Sequence, residues 1–235
     1  MDINALTALF LSADSPVLPR PTAMWIVLHA GWAVVLGAGT WWLTGRLARS
    51  YRWGLGILVM AWALVPGNMS PTFWLGLAFQ APSLMTVVLS LAWFINQAQR
   101  KPAHPKPSPE ARELRIMAGL GVALGWVLLL DTLALLPVSV YSWGFSSAAL
   151  GAMVILLMLL FWGVYSNPQG HERGLKVLAL PLGVLAVFVL TRLPTGNLWD
   201  ALLDPWLWAV VQVGWVVKAV RRWKARRRLL RAIPA

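Results

Sequence analysis

The sequence predicts an all-α fold: a polytopic bundle of seven transmembrane helices, with the N-terminus outside and the C-terminus inside. Three observations carry this. Of the 235 residues 59% are hydrophobic and only 12% charged, with a mean hydropathy of +0.67. One soluble core cannot enclose that much apolar surface, so lipid must act as solvent. The apolar stretches are divided by prolines, glycines and charges at intervals that suit spans of ~20 residues and leave no room for a soluble domain. Basic residues then collect in alternate connections.

In chain order, residues 1–22 open with Asp2 rather than a basic stretch, and their apolar run from Ala5 to Leu11 is short. They are expected to form an outer or interfacial segment rather than a cleaved signal peptide. Span one is placed at Ala23 to Leu43 and span two at Trp53 to Val65, stopped by the helix-breaking turn Pro66-Gly67-Asn68. Span three, Thr72 to Ile95, holds Pro82 and is expected to kink there. Asn96 to Arg115 is a proline-rich polar connection, and Ser108-Pro109 in it suits a helix start before span four enters near Ile116 and ends at Pro137. Span five is Phe145 to Tyr165 and span six Leu175 to Thr191, with Pro181 inside it. Span seven, Pro205 to Val220, closes the membrane domain of residues 23–220, and residues 221–235 form a basic inner tail.

Charge tests this division independently. With the N-terminus outside, the inner segments hold Arg46, Arg49 and Arg52; Arg100, Lys101, Lys106, Arg112 and Arg115; Arg173 and Lys176; and every Lys and Arg from Lys218 to Arg231. Only Arg20 and Arg192 of the 20 basic residues remain outside. Such asymmetry sets topology, because basic loops are retained on the cytoplasmic side. The 16 tryptophans give a second pattern. Trp25, Trp74, Trp143, Trp199, Trp206 and Trp208 sit near outer span ends and Trp41, Trp42, Trp53, Trp93, Trp162 and Trp223 near inner ones. They are expected to anchor the helices at the two interfaces.

Against this apolar background the polar residues stand out. Counting about 1.5 Å per residue from the outer span ends places His29 about 8 Å deep, Asp131 about 9 Å, and Gln80 and Gln212 about 12 Å, with Arg192 just above them. His29, Ala33, Gly37, Thr40 and Thr44 form one stripe of span one. Gly76, Gln80, Ser83, Thr86, Ser90 and Gln97 form another on span three, and Gly121, Gly125 and Thr132 a small-residue packing face on span four. His29, Gln80, Asp131, Arg192 and Gln212 are therefore the expected ligand-binding residues of an outward-facing polar layer, since ionisable groups in a membrane mark functional positions. Arg221, Arg222, Lys224, Arg226, Arg227, Arg228 and Arg231 are expected to meet anionic lipid headgroups.

Other chemistries are disfavoured. Cysteine is absent, which removes disulfides, thiolate metal sites and cysteine nucleophiles. One membrane histidine cannot supply a haem pair or a transition-metal site, so no cofactor and no metal are expected. Gly144-Phe145-Ser146 lacks the neighbouring base that a serine nucleophile needs, and helix capping is its expected role. Lys218 lies too near the basic tail for a buried Schiff base. Asp200 and Asp204 alone make a poor divalent-ion signature, and Asp204 suits a helix cap. The basic tail comes with no folded nucleic-acid module, and no nucleic acid is expected as partner.

The expected function is that of a non-enzymatic transporter-like or accessory subunit of a bacterial inner membrane, handling a small or lipidic ligand from the outer side. A lipid-linked-substrate enzyme with Asp131 as general base, and a purely structural subunit, are the alternatives. Partners are membrane lipids, with a membrane protein or a second copy of the chain as a further expectation.

Overall fold

The computed structural model describes residues 16–99, 112–166 and 171–231, and every regular element among them is helical. In order they are α1 (Pro21–Leu43), α2 (Arg49–Leu64), α3 (Pro71–Phe79), α4 (Leu84–Gln99), α5 (Arg112–Thr132), α6 (Val140–Trp143), α7 (Ser147–Tyr165), α8 (His171–Thr191), α9 (Leu198–Leu202) and α10 (Pro205–Arg231). Among the described residues four helices are long and apolar enough to cross a membrane: Pro21–Leu43, Leu114–Thr132, Ser147–Tyr165 and Gly174–Thr191. They correspond to expected spans one, four, five and six.

The other expected spans take different forms. Span two is α2, with 16 residues. Span three is two helices, not one kinked helix: α3 ends at Phe79, Gln80 adopts φ 59°, and α4 starts at Leu84. Pro82 has no N–H to continue a helix and disfavours helical backbone at Ala81, while the left-handed Gln80 terminates α3 through its own N–H to Gly76 O at 3.0 Å. Pro181, by contrast, lies inside an unbroken α8. Span seven and the tail form one helix, so α10 runs through the expected division at residue 220. Ser108-Pro109 and residues 1–15 lie outside the described residues.

Glycine sets how closely the helices approach. Gly37 of α1 lies under Met60 of α2, so near that a Cβ there would stand 2.8 Å from the sulfur. Gly31 abuts Pro82 in the same manner, with a Cβ 2.9 Å from the ring. The indole of Trp208 on α10 fills the notch at Gly125 of α5, and its Nε1 donates to Val122 O at 3.2 Å. Gly121 opens onto free space, so of the small-residue face on α5 the notch at Gly125 is the filled one. The core lies around α8, where Val184, Leu185 and Phe188 pack with Leu84, Leu198 and Trp199.

Two tryptophans expected as interfacial anchors are core side chains instead. Trp41 is 2% exposed and packs edge-on against Trp53 and Phe94, with the Arg52 guanidinium 4.3 Å from its ring. Trp199 is 8% exposed within the α8–α9 core. Both fill gaps between helices that smaller side chains would leave empty. Trp25, Trp42, Trp74, Trp143, Trp162, Trp206 and Trp223 remain exposed, as anchors would be.

Candidate functional site

Polar chemistry concentrates at one end of the bundle, called here the cap end, where the Arg192–Asp204 connection meets α6 and the break between α3 and α4. The connection is held by turn residues. Gly196 takes φ 89°, a backbone that suits glycine, and its N–H bonds Arg192 O at 2.7 Å. Asn197 is fully buried and caps α9 by accepting Trp199 N–H at 2.9 Å, while its Nδ2 donates to Tyr141 O at 2.9 Å. Trp199 Nε1 donates to Val140 O at 2.9 Å and Leu198 N–H to Gly144 O at 2.9 Å. Gly144 is obligatory here, because a Cβ would overlap Asn197 Oδ1.

Three carboxylates of the cap each accept from the chain itself. Asp131 Oδ2 accepts Tyr141 N–H at 2.6 Å. Asp200 Oδ2 accepts both the Tyr141 hydroxyl at 2.8 Å and the Thr195 hydroxyl at 2.5 Å. Asp204 caps α10 through Leu207 N–H at 2.7 Å and reaches across the bundle to Ser83 N–H at 2.8 Å. These are charge-assisted bonds, shorter and stronger than neutral ones. The Tyr141 hydroxyl is held well above the ordinary tyrosine range, first by burial, then by the charge of Asp200 and the bond to it.

A cleft of about 260 Å³ opens beside this cap, between the start of α1, the end of α3 and the Pro194–Thr195 turn. Its walls are Met24, Trp25, Leu28, Gly76, Gln80, Ala81, Pro194 and Thr195. Apolar surface dominates, and one amide and one hydroxyl supply polarity. Thr195 thus stands on the cleft wall while donating to Asp200 behind it.

Of the five expected ligand-binding residues, Gln80 stands on the cleft wall, and its carbonyl accepts Trp32 Nε1–H at 2.8 Å. His29 is buried behind the wall: its Nδ1 is 3.0 Å from Trp25 O and its ring lies 4.2 Å from the Trp25 ring. Asp131 closes the α5–α6 turn. The Arg192 guanidinium lies over the Phe188 ring at 5.4 Å. Gln212 lies on α10, its Nε2 3.4 Å from Trp208 O. The cleft therefore brings Gln80 together with Trp25, against which His29 packs, whereas Asp131 is engaged by α6, Arg192 lies over Phe188 and Gln212 contacts its own helix.

Ser146 is a helix cap, accepting Ala149 N–H at 3.2 Å and donating to Trp143 O at 2.7 Å. Asp204 also takes its expected cap role. Sequence reasoning missed Tyr141, Thr195 and Asn197. The Thr195-Gly196-Asn197 run carried a turn and N-cap signal before α9, but the partners of Tyr141 lie 56 and 59 residues away. In the tail Arg221, Arg222, Lys224 and Arg227 are exposed, with the Arg227 guanidinium 3.9 Å from the Trp223 ring. The side chains of Arg226, Arg228 and Arg231 lie outside the described set.

No protein-family model, curated protein or solved structure matches this chain.

Proposed function

We propose that this chain is a non-enzymatic accessory subunit of a bacterial inner membrane, crossing it seven times with the cap end and N-terminus outside, and that it receives a lipidic ligand in the cleft. The single observation that supports this best is the make-up of the cleft. Met24, Trp25, Leu28 and Pro194 suit an acyl chain, while the Gln80 amide and Thr195 hydroxyl suit a polar head. Basic residues at the other end, from Lys218 onward, favour the inner orientation and contact with anionic lipid. Catalysis by Asp131 has weaker support: its carboxylate holds Tyr141 N–H, while His29 bonds on its own helix to Trp25 O.

The test uses the full chain in lipid nanodiscs and a fatty-acyl phospholipid carrying a photoactivatable diazirine. Cross-linking should concentrate on Met24 to Leu28, and Leu28→Trp, which fills the cleft, should cut labelling there at least about fivefold. Labelling spread evenly around the lipid-facing helices, unchanged by Leu28→Trp, would remove the ligand and leave a structural subunit.

A further inference from the structure

The α5–α6 connection, residues 133–139, turns apolar side chains outward where a loop bathed in water would carry charge. Leu133 is 59% exposed, Leu135 66% and Val138 65%, and Tyr141 and Trp143 of α6 are exposed beyond them. No Asp, Glu, Lys or Arg occurs between Asp131 and Glu172, so neither the loop nor α6 has a charge of its own. The other connection of the cap differs, with Arg192, Asp200 and Asp204 in it.

These side chains have little freedom to fold inward, because both ends of the loop are fixed. α5 closes in a turn where Ala134 takes φ 55°, its N–H bonding Asp131 O at 2.8 Å while Leu135 N–H reaches back to Leu130 O at 2.9 Å. At the other end Asp131 Oδ2 accepts Tyr141 N–H, Asn197 Nδ2 donates to Tyr141 O and Trp199 Nε1 donates to Val140 O. The same bonds take polarity off the loop. The N–H groups of Leu133, Ala134, Leu135 and Tyr141 are all bonded within the chain, and Pro137 has none to satisfy. Backbone that meets lipid must satisfy its polar groups internally, and this loop goes far toward doing so.

The loop also prolongs a surface already in place. Trp126, Leu130 and Leu133 are exposed and spaced four and three apart, so they form one face of α5, and Leu135 and Val138 follow it past the end of the helix. We propose that the α5–α6 loop docks into the lipid of the outer leaflet as a shallow wedge. Leu133, Leu135 and Val138 meet the upper acyl chains, and Tyr141 and Trp143 lie at headgroup level, where amphipathic rings are favoured. This rests on the membrane reading above, with the cap end outside, and adds that the connection is a lipid contact rather than a hydrated loop or a seat for another protein. An uncharged wedge asks for no particular headgroup charge.

Because the chain has no cysteine, single-cysteine variants report position cleanly. Leu135→Cys and Val138→Cys are labelled with the environment-sensitive dye NBD in the full chain and placed in phosphatidylcholine nanodiscs, with exposed Ile155→Cys as the mid-span reference and exposed Lys224→Cys as the water reference. Quenching is measured with 5-doxyl and 12-doxyl phosphatidylcholine and with iodide. At 135 and 138 the 5-doxyl lipid should quench more than the 12-doxyl lipid, and iodide at least about threefold less than at 224. Iodide quenching equal to that at 224 without doxyl quenching places the loop in water and overturns the proposal, and shielding from both quenchers overturns it in favour of a protein partner. In either case strong doxyl quenching at 155 keeps the membrane reading, whereas its absence at 155 as well overturns both.

Discussion

Asp204 ties two sequence-distant parts of the cap with one carboxylate, and its replacement separates their contributions. Oδ1 holds Leu207 N–H at 2.7 Å as the N-cap of α10, and Oδ2 holds Ser83 N–H at 2.8 Å at the α3–α4 break. Asn retains one acceptor oxygen and is itself a good cap, so Asp204→Asn should keep the α10 bond and lose the one to Ser83. A hydrogen bond to a charged group contributes about 1.5–3 kcal/mol, and half-burial places the expected loss near the lower half of that range. Asp204→Ala removes both bonds, and the N-cap loss adds about 1 kcal/mol. For a chain of this size each kcal/mol moves the midpoint by roughly 2–4 °C, so the expected shifts are about 3–8 °C for Asn and about 5–12 °C for Ala. Thermal unfolding of the full chain in mild detergent, followed by near-UV circular dichroism, reads both. Equal shifts for Asn and Ala, or a shift below about 1 °C for Ala, would refute the view that one carboxylate joins α10 to the break.

Gly144→Ala should destabilise by about 1–3 kcal/mol through overpacking against the fully buried Asn197, and Asn197→Ala in the same chain should relieve part of that loss in a double-mutant cycle. Gly125→Val should expel the Trp208 indole from its notch, read as a red shift of tryptophan emission, and lower stability by a similar amount. Tyr141 gains proton affinity on folding, so its contribution is complete below the ordinary tyrosine range near pH 10 and is lost as pH rises through the elevated native value. The native chain should therefore show a phenolate absorbance component beyond that range which Tyr141→Phe lacks, and stability above pH 10 should fall less steeply in the variant.

The apolar stretches and their limits were legible because lipid imposes a length and a polarity that each segment must satisfy locally. Helices α1, α5, α7 and α8 follow directly from that demand. Pro82 was visible, but whether it kinks or breaks a helix depends on Gln80 adopting a left-handed backbone and on Asp204 accepting Ser83 N–H, 121 residues away. Depth counted from each span end put His29, Gln80, Asp131 and Gln212 in one layer. Depth counted within one span gives neither azimuth nor the register between helices: with Gly125 against Trp208 and Gly119 against Trp215, Gln212 stands level with residues 121–122 of α5, well below Asp131. The same limit explains Trp41 and Trp199: position near a span end is common to an interfacial anchor and to a side chain turned inward.

α10 continues without a break from Pro205 to Arg231, about 40 Å at 1.5 Å per residue. Its far end is exposed and basic, while its near end is fastened through Asp204 to the one place where α3 and α4 part. Ser83 follows the cleft residues Gln80 and Ala81 by way of Pro82, so a single carboxylate at the root of this long helix also fixes where one wall of the cleft stands.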